Sequence, residues 1–155
     1  TEAKIRLGNI KARLRMIQLY DTASKNNGVV LSTDNLTEYM LGFWTLHGDV
    51  GDLGLIQQLW KTEIYGLAWW LDNNGFGGGG VLEDCIKAVP TDGLGITSSD
   101  FEQLGYDSYQ EIDKVLIRHL NEPGTVDMND PVVKRHEATH FKRNNPFNLK
   151  REDIT

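Results

Sequence analysis

Cysteine is nearly absent from this sequence: Cys85 stands alone among 155 residues, which excludes an intrachain disulfide framework. Long apolar runs are missing too, and no stretch approaches the roughly 20 residues that a membrane-crossing helix needs. Positive charge is not in excess, since 16 Lys and Arg are set against 22 Asp and Glu for a formal net charge of −6. With the two signs mixed along the chain, no continuous basic field exists to attract a nucleic-acid backbone. The opening segment lacks the apolar stretch and cleavage site of a secretory signal. Together these absences argue against membrane, nucleic-acid and export roles, and the expectation is a cytoplasmic protein. What is present is a hydrophobic content of 39% over 155 residues, enough for a single globular domain over 1–155 with a sizeable core.

Helical periodicity dominates. From Ala3 to Lys25 apolar residues recur at helical spacing, and Asn26, Asn27 and Gly28 supply a stop. Val29, Val30 and Leu31 then favour a strand, ending at the polar cluster Ser32 to Asn35, which can cap a second helix over Leu36 to Phe43. GDVGD (Gly48 to Asp52) reads as a turn or loop. A third helix is expected over Thr62 to Leu71, followed by the glycine-rich DNNGFGGGG (Asp72 to Gly80), a loop expected to be mobile. Further helices are expected at Val81 to Ala88, Tyr109 to Leu120 and Pro131 to Arg143, the last with proline in its first turn. No internal repeat is visible. Strands are scarce: Val29 to Ser32 is the only convincing one, and a lone strand leaves both edges unpaired. The expectation is that a sheet from elsewhere, a missing N-terminal segment or another chain, completes it.

Helix geometry assigns directions to the charges of the first helix. At about 100° per residue, Ile5, Ala12, Met16, Leu19 and Ala23 form one apolar stripe, and Ile10, Leu14 and Ile17 another. Lys4, Lys11 and Arg15 share the solvent face, whereas Arg6 and Arg13 project between the stripes. Arg13 is therefore expected to point inward, where its planar fork needs an anion. That anion is either a core or interface carboxylate or a ligand's carboxylate or phosphate, and geometry leaves both open. At the strand end, Thr33 and Asp34 occupy the place where open α/β sheets bind nucleotides. Glu38, one turn on, could reach a magnesium ion; equally, Asn35 with Glu38 matches a capping box.

The runs GNIKARLRM (Gly8 to Met16), LSTDNLTEYMLGF (Leu31 to Phe43) and GDVGD, in this order, resemble the NAD+ synthetases. LWKTE (Leu59 to Glu63), VPTDGLGI (Val89 to Ile96), SYQEIDKVL (Ser108 to Leu116) and FKRNNP (Phe141 to Pro146) extend the resemblance over nearly the whole chain. It implies an α/β fold of the Rossmann-like adenine-nucleotide hydrolase type, mostly helical here and without the N-terminal part of the sheet. It also implies the family's chemistry: ATP adenylates the nicotinic acid carboxylate of deamido-NAD, and ammonia then displaces AMP. By that resemblance Arg13, Asp52, Phe141 and Lys142 bind deamido-NAD, Thr33, Lys61 and Thr91 bind ATP, and Glu38 is a Mg2+ ligand. A homodimer is implied in the same way.

Departures accompany the match. Leu46 stands where many relatives carry a substrate-binding lysine, and Phe141 replaces the histidine of some. No SGGxDS run, the pyrophosphate-binding loop that relatives carry upstream of the GNIKAR helix, occurs in the sequence. The expectation is a fragment, inactive alone. A rival reading is a non-catalytic dimerisation or regulatory module whose apolar helix faces bind a partner. HEATH (His136 to His140) also matches the zinc pattern HExxH. Catalytic zinc needs a third protein ligand, only 15 residues follow His140, and the glycine and histidine of the longer motif are missing. Gly75, Gly77 and Gly80 satisfy GxGxxG without a preceding strand, which empties that match. The four tryptophans are expected to pack rather than to stack on bases.

Overall fold

The structure is a computed structural model that describes residues 2–76, 80–91, 95 and 97–154. The elements run α1 (Glu2–Lys25), β1 (Leu31–Ser32), α2 (Leu36–Leu41), β2 (Leu53–Gly54), α3 (Lys61–Asn73), α4 (Val81–Lys87), α5 (Asp100–Leu104), α6 (Tyr109–Asn121), α7 (Pro131–Ala138) and α8 (His140–Arg143), then a short 3-10 turn at Arg151–Asp153. Residues 77–79 of the expected mobile loop, and residues 92–94 and 96 of the VPTDGLGI run, lie outside the described residues, and α3 runs through Asp72 and Asn73 into the expected loop.

Local chemistry accounts for the helix limits. Asn35 accepts from the Glu38 N–H while Glu38 accepts from the Asn35 N–H, both at 3.0 Å, so the capping box is formed. Gly42 ends α2 in the left-handed region at φ 65°, which glycine adopts without a Cβ penalty. Ser108 accepts from the Glu111 N–H to start α6. Asp130 accepts from the Val132 N–H ahead of Pro131 to start α7. The core lies where α2, α5, α6 and α7 meet: Leu41, Leu104, Ile112, Leu116 and Val132 have no solvent exposure, and Tyr109 has 1%.

Three expectations are corrected. The strand is not alone, because β2 pairs with it in parallel, Leu31 opposite Leu53 and Ser32 opposite Gly54. Two residues inside a run of turn formers carry too little pattern to announce a strand. The helix expected over Pro131 to Arg143 breaks at Thr139. There the hydroxyl of Thr139 bonds back to the Arg135 and His136 carbonyls at 2.9 and 3.1 Å, and Arg143 Nη2 takes the His136 carbonyl at 2.6 Å. The third correction concerns α1, which is not buried on two sides. Of its residues only Ala12 is buried, and Ile10, Leu14, Ile17 and Leu19 are each more than half exposed. Val29 and Leu31 of the strand region are likewise open to solvent. Among the described residues no helix is long and apolar enough to cross a membrane.

Candidate functional site

The site grows from the meeting of α2 and α3. Lys61 opens α3, and its first-turn N–H groups are satisfied from other elements. The Lys61 N–H donates to Thr37 Oγ1 at 2.8 Å, and the Thr62 N–H to Asp113 Oδ2 at 3.0 Å. Thr37 in turn donates its hydroxyl to Asp113 Oδ1 at 2.6 Å, and the Thr62 hydroxyl donates to Oδ2 at 2.8 Å. Asp113 and Thr37 are buried. A carboxylate from α6 therefore caps α3, where the helix dipole favours negative charge.

With α3 so fixed, the Lys61 ammonium reaches Glu38 Oε1 at 2.9 Å, in a pair about one-fifth exposed on each side. Glu38 is thus engaged through both oxygens, Oε1 by Lys61 and Oε2 by the capping box. The N-terminus of α2 is similarly occupied. The Leu36 N–H donates to the Leu59 carbonyl and the Glu38 N–H to the Asn35 side chain, so the helix end that Thr33 and Asp34 approach has few N–H groups left for an anion.

Two adjoining cavities lie on the Glu38 side of this pair, the larger one lined by Glu38 itself. The larger, about 480 Å³, is lined by Glu38, Asp49, Thr91, Trp44 and Lys142 among others, and the smaller, about 280 Å³, by Ser32, Asp34, Leu46, His47, Asp49 and Lys142. Trp44, Asp49 and Lys142 belong to both walls. Lys142 is half-buried and donates to the Gly42 and Trp44 carbonyls at 2.6 and 2.5 Å. Burial and the neighbouring Arg135 hold its ammonium below the usual lysine range, against a smaller opposite pull from Asp49. Asp34 is pushed up to about 6, first by burial and then by the Glu38 and Asp49 carboxylates.

Glu38, Thr91 and Lys142 share the wall of the larger cavity, and Lys61 is joined to it through Glu38, whereas Arg13, Thr33, Asp52 and Phe141 line neither cavity. Thr33 is exposed between two residues that line the smaller cavity. Asp52 accepts from the Val30 N–H at 2.9 Å and so braces the β1 region. Phe141 is 59% exposed and lines neither cavity. Arg13 is corrected in direction: it is exposed, and its guanidinium donates from Nε and Nη2 to the Leu46 carbonyl at 3.2 and 3.1 Å. The segment that touches α1 here meets Arg13 only through this backbone carbonyl, which leaves the guanidinium exposed. Asp113, Thr37 and Thr62 were not anticipated. Asp113 did carry a signal, an aspartate at helical spacing with Tyr109, Ile112 and Leu116, on the face that becomes the core.

The HExxH match dissolves into separate environments. His136 is buried, with Nδ1 2.9 Å from the Met40 carbonyl. His140 lies beyond the break at Thr139, exposed and 2.9 Å from Asn144.

Comparison with known proteins gives the chain its relatives. A family model described as NAD synthase matches residues 1–146. The NH(3)-dependent NAD(+) synthetase of Thermoplasma acidophilum is 37% identical over 151 residues, covering 94% of this chain and 58% of the relative. That of Thermoplasma volcanium is 38% identical, with 92% and 57% covered. Among solved structures, the NMN synthetase of Francisella tularensis superimposes with a TM-score of 0.72 at 29% identity, covering 95% of this chain and 56% of that one. The NH3-dependent NAD synthetase of Campylobacter jejuni gives 0.67 at 30%, with 94% and 56% covered. The chain thus spans a little over half the length of the relatives it matches. An α/β fold with a short parallel sheet, the chain order of these motifs and the match over nearly all residues lead to one conclusion: the chain belongs to the NAD synthase family.

Proposed function

We propose that this chain forms the C-terminal part of an ammonia-dependent NAD+ synthetase, in which ATP adenylates the carboxylate of deamido-NAD and ammonia displaces AMP. The observation that carries the reading is the Lys61 and Glu38 pair, held by Asp113 and Thr37 beside the larger cavity. In this reading an arriving phosphate takes Lys61 from Glu38, so cation meets anion and the carboxylate is freed. Glu38 and Asp49, both on the cavity wall, offer the oxygen donors that Mg2+ prefers. Glu38 is the residue that would hold Mg2+, whose contribution is to draw electron density from the phosphate. Thr33, Lys61 and Thr91 contact ATP; Arg13, Asp52, Phe141 and Lys142 contact the dinucleotide. Lys142, fixed by two backbone carbonyls, orients the turn between the cavities.

The test is to fuse the chain to the upstream part of the Thermoplasma acidophilum relative and assay NAD+ formation from deamido-NAD, ATP and ammonia. Activity that needs all three is expected, with Lys61→Ala and Glu38→Gln each lowering kcat/KM about 100-fold or more. Because one solved neighbour is an NMN synthetase, the deamidated mononucleotide is offered in parallel. No amidation of either substrate by a folded fusion sinks the proposal. The bare apolar face of α1 favours a second reading, a dimerisation or regulatory module, which predicts a stable dimer that binds no ATP.

A further inference from the structure

The seam between α6 and α7, away from the cavities, brings three metal-ligating side chains together. Donor atoms of His119, His136 and Glu137, one from each, lie within 4.8 Å of one another. Each residue is prepared differently. The His136 Nδ1 lies 2.9 Å from the Met40 carbonyl; a carbonyl only accepts, so this nitrogen carries the proton and Nε2 presents its lone pair. The His119 Nε2 lies 3.0 Å from Glu137 Oε1, while its Nδ1 is buried with no hydrogen-bond partner among the described residues. The rings stand edge to face with centroids 5.6 Å apart. His119 is only 11% exposed, but Glu137 is 49% exposed, which leaves an entry from one side and a carboxylate free to adjust.

We propose that His119, His136 and Glu137 form a site for a divalent transition cation of the zinc class, joining α6 to α7. Two imidazoles and one carboxylate suit that ion. Tetrahedral bonds of about 2.1 Å place donors roughly 3.4 Å apart; the His119 and Glu137 donors already stand 3.0 Å apart, so the closure, at most a little over an ångström, brings them and the His136 ring together. Binding replaces the hydrogen bond between His119 and Glu137 and leaves the His136 bond to Met40 in place as the orienting contact. The site differs from the HExxH reading in two roles, since His119 from α6 replaces His140 as the second imidazole and Glu137, the general base of the motif, becomes a ligand.

Titration of the metal-free 155-residue chain with Co2+ reads the site through its visible absorption bands. One equivalent should bind and be displaced by Zn2+, with the ring resonances of His119 and His136 shifted. Glu137→Gln and His119→Gln should each weaken binding by more than the 10–100-fold that loss of an outer-shell contact costs. Glu137 is exposed, so its glutamine variant tests the ligand without disturbing the core. His140→Ala should bind like the parent. Absence of saturable binding at one equivalent overturns the proposal, as does binding that survives both glutamine variants or is lost with His140→Ala.

Discussion

Single side chains decide how the candidate site responds to pH and to loss of a contact. Asp34 binds its proton more tightly folded, at about 6, than at its ordinary value of 3.8, because it is partly buried and faces Glu38 and Asp49. Between those values the folded chain holds more protons than the unfolded one, so its contribution to stability is present below the lower value and is lost as pH rises through the upper one. Asp34→Asn should therefore raise the Tm at pH 7 and flatten its dependence between about pH 4 and 6, as a thermal melt series reads directly; a lower Tm at pH 7 would contradict the assignment. Asp113 is a structural acceptor. It accepts the Thr37 hydroxyl, the Thr62 hydroxyl and the Thr62 N–H from within the core. Asp113→Ala strands those donors, and urea unfolding should show a loss of about 2–4 kcal/mol. Asp113→Asn keeps one acceptor and should cost less. A loss below about 0.5 kcal/mol for the alanine variant would show that water replaces the carboxylate.

At the scale of elements, a close fit joins the end of α2 to the break between α7 and α8. Gly42 combines φ 65° with a position where a Cβ would lie 2.5 Å from Thr139 Cβ. The Lys142 ammonium takes its carbonyl. Gly42→Ala meets both the left-handed strain and the clash, and should destabilise by about 1–3 kcal/mol. Adding Thr139→Gly should recover part of that loss in a double-mutant cycle. The same corner shows what the sequence reveals and what it does not. Asn35 and Glu38 form the anticipated capping box, and α3 and α6 differ from the anticipated spans by only one or two residues at either end, because caps and periodicity are local chemistry. The break at Thr139 depends on Arg143 and on a threonine hydroxyl turned back on its own helix, and residue type alone does not announce either. The capping of α3 by Asp113 joins residues 51 and 76 positions apart. A reader of the chain can notice an aspartate on an apolar face but cannot see which donors will meet it. Similarly, periodicity identified the apolar stripes of α1, yet it says which face is apolar and not whether anything covers it.

For the whole molecule, that uncovered surface is the dominant physical fact. Ile5, Leu7, Ile10, Leu14, Ile17 and Leu19 on α1 are all exposed, and Leu7, Ile10, Leu14 and Ile17 fall on one face of the helix, an apolar surface of the kind that marks an interaction site. Val29, Leu31, Leu53 and Leu55 add exposed apolar area around a parallel sheet of only two strands. Parallel sheets are almost always covered on both faces, so both surfaces lack their packing partners within the described residues. The relatives are longer, and this chain spans 58% of the first of them. The physical expectation is that residues supplied by the rest of such a protein cover the sheet and α1 together. In the isolated chain these surfaces should bind the fluorescent probe ANS strongly and promote concentration-dependent association. Fusion to the upstream part of the Thermoplasma acidophilum relative should quench most of the ANS signal and raise the Tm. Each large apolar side chain moved from water into a packed surface contributes about 1.5–3 kcal/mol, so even partial coverage of α1 gives a shift well outside measurement error. Charged substitutions separate the two kinds of cover. Leu14→Lys with Ile17→Lys should abolish the gain if α1 is buried by the added segment, and should leave the fusion as stable but monomeric if α1 instead meets a second copy. An isolated chain that neither binds ANS nor self-associates would mean that α1 folds back on its own domain, and the need for an added partner would disappear with it.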